Sequence, residues 1–330
     1  MIKIGIFVNN RCQASSVFLA ADVLMAANFA AQKYFDMTPT LFSYQLIGLT
    51  RKVRAYNGCQ IDSVTKIQEC SRPDIVILPG AFESVLTPAK SRELLDSMIP
   101  LFNTLRSWHQ AGTIMASVCT GNFILSSAQI TMGRTLTCHW TSLESANILF
   151  PGETFDVSKL LIDHGDVISA GGATAVSQLV LYLVSRFHSR ELALATGKLM
   201  MIELNLDHQS RFAIFRPRHD HGDALVAKLQ QHIESQFNEA PDVDKFASVQ
   251  GIGLRQLTRR FKKATGETPL SYLQQFRVEQ VKIDLESTAV SINTLVWNAG
   301  YDDLSSFRRL FKRYTGLTMQ EYRSRFSSTL

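Results

Sequence analysis

The segment SVCTGNF, Ser117–Phe123, follows an apolar run and opens a helical pattern. A turn of small residues at such a junction lifts one side chain above the sheet, the geometry of a nucleophile elbow. The raised residue here is Cys119, and a thiol at a helix N-terminus can ionise more easily than a free one. His139, in TCHW twenty residues on, is the candidate base. The amides of Thr120 and of Gly80, which follows the run DIVIL, are candidates for an anion hole. Together these groups would perform nucleophilic thiol chemistry. The plainer alternative makes Cys119 a packed core thiol and His139 a satisfied structural histidine. Asn9, Asn10 and Arg11 end the first apolar run, where a parallel sheet binds ligands. Arg11 is suited to a carboxylate, and the Trp140 ring to a cation.

Such groups need a rigid frame. Ile2–Val8, Asp74–Leu78, Thr113–Val118 and Val167–Ser169 are continuous apolar runs of strand length. Between or after them, Ser16–Phe29, Arg92–Gln110, Gly121–Ser127 and Ala175–Phe187 have helical texture, and Glu191–Leu206 continues as a helix. Continuous apolar strands alternating with helices predict a parallel sheet covered on both faces. Residues 1–205 are therefore expected to form an α/β doubly wound domain. The aperiodic stretch HQSRFAIFRPRHDHGD reads as a solvated interdomain linker, set at residues 206–222. Its His208, His219 and His221, with Asp220 and Asp223, lack a metal-ligand spacing, and no metal is expected.

A different chemistry occupies residues 223–330. The segment Leu254–Phe276 recurs fifty positions later as Leu304–Phe326, with nine identical pairs in one register. Among them are Arg259/Arg309, Phe261/Phe311, Lys262/Lys312, Gly266/Gly316 and Tyr272/Tyr322. In the first copy, Leu254, Leu257 and Phe261 share one helical face, and Arg255, Arg259 and Lys262 share another. Each copy has a short helix (Val243–Val249, Thr294–Ala299), a Gly turn and a basic amphipathic helix (Leu254–Thr265, Asp303–Tyr314), the order of a helix-turn-helix. Pro269 opens the joining helix Leu270–Glu286, and Asp223–Phe237 precedes the first copy. An all-α unit with two helix-turn-helices is expected.

Charge agrees with this division. Residues 240–330 hold 14 Lys and Arg against 9 Asp and Glu, while residues 1–239 hold 20 of each. A basic module on a neutral body indicates a nucleic-acid end and another kind of end. The five cysteines are odd in number and lack C-x-x-C spacing, which argues for a reducing compartment and against a disulfide framework. MIKIGIFV reads as a first strand rather than a signal peptide, and Val176–Val184 is too short to span a bilayer. A cytoplasmic protein with no membrane partner is expected.

Arg259-x-Phe261-Lys262, Gly266-x-Thr268-Pro269-x2-Tyr272, Arg277, Ser291-Ile292 and Gly300-Tyr301 resemble the AraC/XylS family of transcription regulators over Asp223–Phe326. Gly253 stands where that family usually has Ser, and Thr318-Met319 where it has Ser-Pro. The resemblance implies two recognition helices in successive major grooves, about one helical turn or ~34 Å apart. Base edges are assigned to Arg255, Gln256 and Thr258 in the first, and to Asp303, Leu304, Ser306 and Arg308 in the second. Lys262, Lys263, Lys312 and Arg313 are assigned to phosphates. Arg259 and Arg309 are read either as DNA contacts or as scaffold.

The elbow and its downstream His resemble the PfpI-like branch of the class I glutamine amidotransferase superfamily over roughly residues 1–190, which implies a flavodoxin-like sheet. The whole chain resembles the GlxA-type regulators. Enzymes of that superfamily carry an acid near the start of the first helix; this chain has Ser16 there, and Gln178 where relatives often have Asp. These departures favour a binding pocket over an enzyme. The resemblance implies a homodimeric regulator that binds promoter DNA, expected to be an activator working with RNA polymerase. Its effector would be a small nitrogenous metabolite, an amino acid or a methylated amine, held by Asn10, Arg11, Ser16, Gly80, Cys119, Thr120, His139 and Trp140, with no cofactor. The rival reading is a Cys119/His139 hydrolase or hydratase with a DNA-binding tail.

Overall fold

Strand β1 (Ile2–Val8) runs parallel to β2 (Phe42–Gly48) on one side and to β6 (Ile75–Leu78) on the other. The structure is a computed structural model, described over residues 1–37, 40–62, 64–81, 87–203, 208–239 and 241–327. Two compact units, Met1–Gln209 and Ser210–Leu330, divide the chain. The expected boundary at residue 205 lies outside the described residues.

In the first unit, α1 (Ala14–Phe35) follows β1, and β2 leads through the hairpin β3 (Val53–Arg54) and β4 (Gln60–Ile61) to β5 (Thr65–Lys66). After β6 come α2 (Pro88–Ser97), α3 (Ile99–Gln110), β7 (Ile114–Val118) and α4 (Gly121–Ser127). A short parallel pair, β8 (Thr135–Leu136) and β9 (Thr154–Phe155), brackets α5 (Leu143–Leu149). Then follow β10 (Leu161–Asp163), β11 (Val167–Ala170), α6 (Ala175–Phe187) and α7 (Arg190–Leu199). The sheet order is β10-β11-β7-β6-β1-β2-β5, parallel except for β10 against β11.

Alternate side chains serve opposite faces. Ile4, Ile6, Ile75, Ile77, Ala116, Val118 and Ile168 enter one core with α1 and α6. Phe7, Val76, Leu78, Met115 and Val167 enter the other with Leu101, Leu105 and Phe123. Both faces are covered, so the strands read as unbroken apolar runs. Helix α1 is long and apolar enough to cross a bilayer, but Val17, Ala20, Leu24, Ala27 and Ala31 are buried in the core of this unit.

Several expected elements change. β2 lacks a continuous apolar run, because its middle residues Tyr44 and Gln45 are exposed beside the edge strand. The run Arg92–Gln110 is two helices, broken at Met98 ahead of Pro100. The helix expected through Leu206 stops at Leu199, where Met201 adopts a φ of 52°; residues 204–207 lie outside the described residues.

The second unit holds α8 (Ala224–Ser235), α9 (Val243–Val249), α10 (Leu254–Thr265), α11 (Pro269–Ser287), α12 (Ile292–Asn298), α13 (Leu304–Thr315) and α14 (Met319–Phe326). Its two cores repeat one plan. Phe261 meets Tyr272 edge-on at 5.4 Å, and Phe311 meets Tyr322 at 5.5 Å. The Tyr272 hydroxyl donates to Glu234, and that of Tyr322 to Glu286. Gly266 and Gly316 end α10 and α13 at φ 86° and 74°, donating to the carbonyls of Lys262 and Lys312. Positive φ favours glycine here because it has no Cβ to clash.

The stretch expected to be a solvated linker is instead docked. Gln209 is 2% exposed and bonds to Thr137, Cys138 and Lys159 in the first unit. In the second unit, the Phe215 amide donates to Glu279, and the Arg218 carbonyl accepts from Gln230. The buried donors and acceptors of this stretch need partners, which gives its aperiodic sequence a fixed path. His221 bonds to Gln230, and His219 lies 3.5 Å from Glu234.

Candidate ligand site and nucleic-acid interface

Strand order reverses between β1 and β6, the usual ligand position in a doubly wound sheet, and the C-terminal end of β7 lies beside it. Cys119 leaves β7 there with φ 59°, a left-handed conformation that costs a non-glycine residue about 1–3 kcal/mol and persists only where surroundings enforce it. Its amide donates to Ala170 of β11 at 2.9 Å. Two glycines permit the fit. A Cβ on Gly80 would lie 2.7 Å from the Cys119 Cβ, and one on Gly121 would lie 2.1 Å from the Leu78 carbonyl oxygen. Asn122 holds the turn from below, donating to the carbonyls of Cys119 at 2.9 Å and Thr137 at 2.7 Å.

Gly80, Cys119 and Thr120 are thus brought together. Thr120 spends its hydroxyl on Ala81, accepting from its amide at 3.0 Å and facing its carbonyl at 3.2 Å. Cys119 is 3% exposed. Burial pushes its thiol up to about 11, against a smaller lowering by the Thr120 amide and hydroxyl. At this elbow, desolvation, which favours the neutral thiol, outweighs the Thr120 bonds that favour the thiolate. Burial raises neighbouring Cys138 also, with Cys119 adding to the shift.

His139, the candidate base or ligand contact, is bonded locally. Its Nδ1 faces the Thr141 hydroxyl at 2.7 Å and accepts from the Thr141 amide at 3.2 Å. Its ring borders Gly172, and burial lowers its pKa. Among the described residues no hydrogen bond joins it to Cys119. Ser16, at the expected acid position, is buried and donates to the Ala173 carbonyl at 3.1 Å. Ser16 and His139 thus both border the loop after β11. Trp140 lies 5.5 Å from the His139 ring, and its amide donates to Gln209. Asn10 and Arg11 line a cleft of about 250 Å³ with Ala81, Lys90, Glu93, Leu94 and Ser97. Asn10 also accepts from the Arg54 amide. The expected ligand residues therefore fall into an elbow group, a His139/Trp140 group and a cleft group.

Sequence reasoning did not single out Asn122 or Gln209. Asn122 had a signal, a polar residue inside an apolar helical turn. Gln209 had none, because its partners are distant in sequence.

In the second unit, Arg255, Gln256, Arg259, Lys262 and Lys263 are exposed along α10, and Arg308, Arg309, Lys312 and Arg313 along α13. Opposite faces bury Leu257 and Phe261, and Phe307, Leu310 and Phe311. Arg259 and Arg309 are exposed and make no ion pair among the described residues. Thr258 and Ser306 are half-buried beside the exposed positions. Asp303, assigned to a base edge, is the N-cap of α13 and accepts from the Ser305 and Ser306 amides at 2.9 and 3.0 Å. Its carboxylate satisfies the helix end. Leu304 packs against the second core. Arg313 bonds to Gln274 and lies over the Tyr314 ring.

Comparisons with known proteins agree with both halves. Residues 3–186 match the model of the DJ-1/PfpI family, and residues 246–325 match a helix-turn-helix domain. The chain is 26% identical over 276 residues to the HTH-type transcriptional regulator GbdR of Pseudomonas aeruginosa, covering 83% of this chain and 72% of that protein. It is 25% identical over 273 residues to the HTH-type transcriptional regulator CdhR of the same species, covering 79% and 75%. Drosophila melanogaster DJ-1beta superposes with a TM-score of 0.50 at 18% identity, covering 61% of this chain and 98% of that one. The chain belongs to the DJ-1/PfpI family and joins that domain to an AraC-type DNA-binding helix-turn-helix region, the architecture of a transcriptional regulator.

Proposed function

We propose that the protein is a cytoplasmic, ligand-responsive transcriptional activator. Its first unit binds a small nitrogenous metabolite, and its second reads two adjacent half-sites in duplex DNA. The repeated scaffold of α10 and α13 carries this reading: each presents an exposed basic face, and the two differ where bases would be contacted. Arg255 and Gln256 stand in one copy against Ser305 and Ser306 in the other. Each half should then recognise a different sequence. Lys262, Lys263 and Lys312 contact phosphates, Arg259 and Arg309 contact DNA, and the protein acts as a homodimer with RNA polymerase. The effector, an amino acid or methylated amine, lies at the C-terminal ends of β1, β6, β7 and β11. It shifts activity through differential affinity for two arrangements of the protein.

Footprinting tests this. Two protected half-sites about one turn or ~34 Å apart per protomer support it, with affinity falling steeply in salt. Absent or salt-independent binding sinks it. A thiol raised to about 11 is almost wholly protonated at neutral pH, which favours sensing over Cys119-dependent turnover. Retention of effector-dependent activation in Cys119→Ala would support that preference, whereas its loss together with a measurable turnover would favour the enzyme.

A further inference from the structure

The chain crosses from the first unit to the second at a single peptide bond, between Gln209 and Ser210, and residues on both sides are anchored. On the first side, the Gln209 side chain accepts from the Trp140 amide at 3.3 Å. It donates to Thr137, Cys138 and Lys159 at 3.0, 2.8 and 3.1 Å. Gly171, just after β11, has no room for a side chain: its Cβ would meet Gln209 at 2.6 Å. Gln209 is therefore built into the loops that carry His139 and the end of β11.

On the second side, Ser210–Phe212 forms a turn beside α13, and Phe212 meets Phe326 of α14 edge-on at 5.8 Å. The chain then runs extended along α11. Arg211, Ala213, Phe215 and Pro217 are more buried than Phe212, Ile214 and Arg216, an alternation that puts every second residue against the helix. Lys282, 4% exposed, donates to the Ala213 carbonyl and pairs with Glu279 at 2.7 Å. Glu279 in turn accepts from the Phe215 amide at 3.1 Å. Phe215 packs on Tyr272 of α11 at 5.3 Å and against the first helix-turn-helix core that holds Leu257 and Phe261 of α10. One short segment thus touches both helix-turn-helix units and the helix that joins them. A groove of about 490 Å³ lies beside it, lined by the segment and α11.

We propose that Gln209–Pro217 is a coupling strap. Its anchor in the first unit is Gln209; its brace in the second is the Lys282–Glu279 pair. A rearrangement of the His139–Trp140 loop alters the Gln209 anchor. The covalent chain carries that change to the brace, and through it to the placement of α13 against α11. Coupling of this kind is reciprocal, so loosening the brace also loosens the anchor. The inference refines the sensing reading but does not depend on which metabolite or which DNA sequence is bound.

The test uses hydrogen exchange on the full chain, without effector or DNA. Gln209→Ala is expected to speed exchange in residues 211–217 and in α13 by about threefold or more. Lys282→Met is expected to do the same at residues 137–141. Inserting eight Gly-Ser residues between Gln209 and Ser210 should abolish both distant effects while each local effect stays. Circular dichroism confirms that each variant is folded, and the insertion keeps the test decisive should Gln209→Ala unfold the first unit. Variants that perturb only their own unit, or distant effects that survive the insertion, overturn the strap. Neither outcome bears on DNA binding itself, which footprinting measures separately.

Discussion

The side-chain amide of Asn122 donates to the carbonyl of Cys119 at 2.9 Å, and so locks the left-handed residue of the elbow from within the helix it starts. Asn122 also bonds to Thr137 and to the Ser117 hydroxyl, and is fully buried. Asn122→Ala leaves the carbonyls of Cys119 and Thr137 short of a donor. A loss of about 1–3 kcal/mol is expected for such a buried group. Denaturant unfolding of the first unit measures it; an unchanged midpoint would show that the elbow holds itself.

The Cys119 thiol gives a pH signature. Its folded pKa, about 11, lies above the ordinary value of 9.0. The folded state holds its proton more tightly than the unfolded one, so stability is complete below pH 9 and declines as pH rises towards 11. Alkylation by iodoacetamide should therefore be slow at pH 7 and rise with hydroxide up to the alkaline limit of folding. A rate plateau below pH 8 would refute the raised pKa.

The two recognition helices differ in their caps. Gly253 starts α10 without a side-chain bond, in the extended conformation an N-cap needs, and a Cβ there meets nothing within 4 Å. Gly253→Ser should stabilise the second unit by only a few tenths of a kcal/mol, because glycine is itself tolerated at an N-cap. Asp303→Ala should cost about 0.5–2 kcal/mol, through loss of the bonds to Ser305 and Ser306. Thermal unfolding of the two variants should move in opposite directions.

Gly300 is a stricter case. Its φ is 77°, and a Cβ would lie 2.2 Å from the Asn238 carbonyl oxygen and 2.9 Å from the Arg277 guanidinium. Arg277, 8% exposed, binds the carbonyls of Phe237 and Glu239 and lies over the Tyr301 ring. Gly300→Ala is expected to cost more than about 1 kcal/mol, because strain and a backbone clash add. Tolerance of that change in a melting experiment would mean that this junction is softer than its contacts imply.

On DNA, Lys262→Ala should weaken binding to all sequences alike and reduce the salt slope by about one. Gln256→Ala should cost about 1–3 kcal/mol on the preferred site and relax preference there. Titrations against matched and scrambled duplexes separate the two. Equal losses on both duplexes for Gln256→Ala would remove it from base readout.

Local pattern was enough for much of this molecule. The apolar runs of β1, β6 and β7 marked the covered sheet, because strands buried on both faces carry no polar alternation. The fifty-residue repeat marks both helix-turn-helix units, because Phe261/Phe311 and Tyr272/Tyr322 recur in one register. Charge marked the basic end. What the sequence left open depends on solvent and on partners distant along the chain. The elbow motif of Cys119 suggests an active thiol, yet its burial raises the pKa, and burial is set by β6, α4 and β11 together. Asp303 looks like a base-reading side chain until the helix turns its first amides onto that carboxylate. Gln209 and Lys282 carry no periodic signal. Their roles arise only when folding removes water from their polar atoms, which must then find partners across the fold.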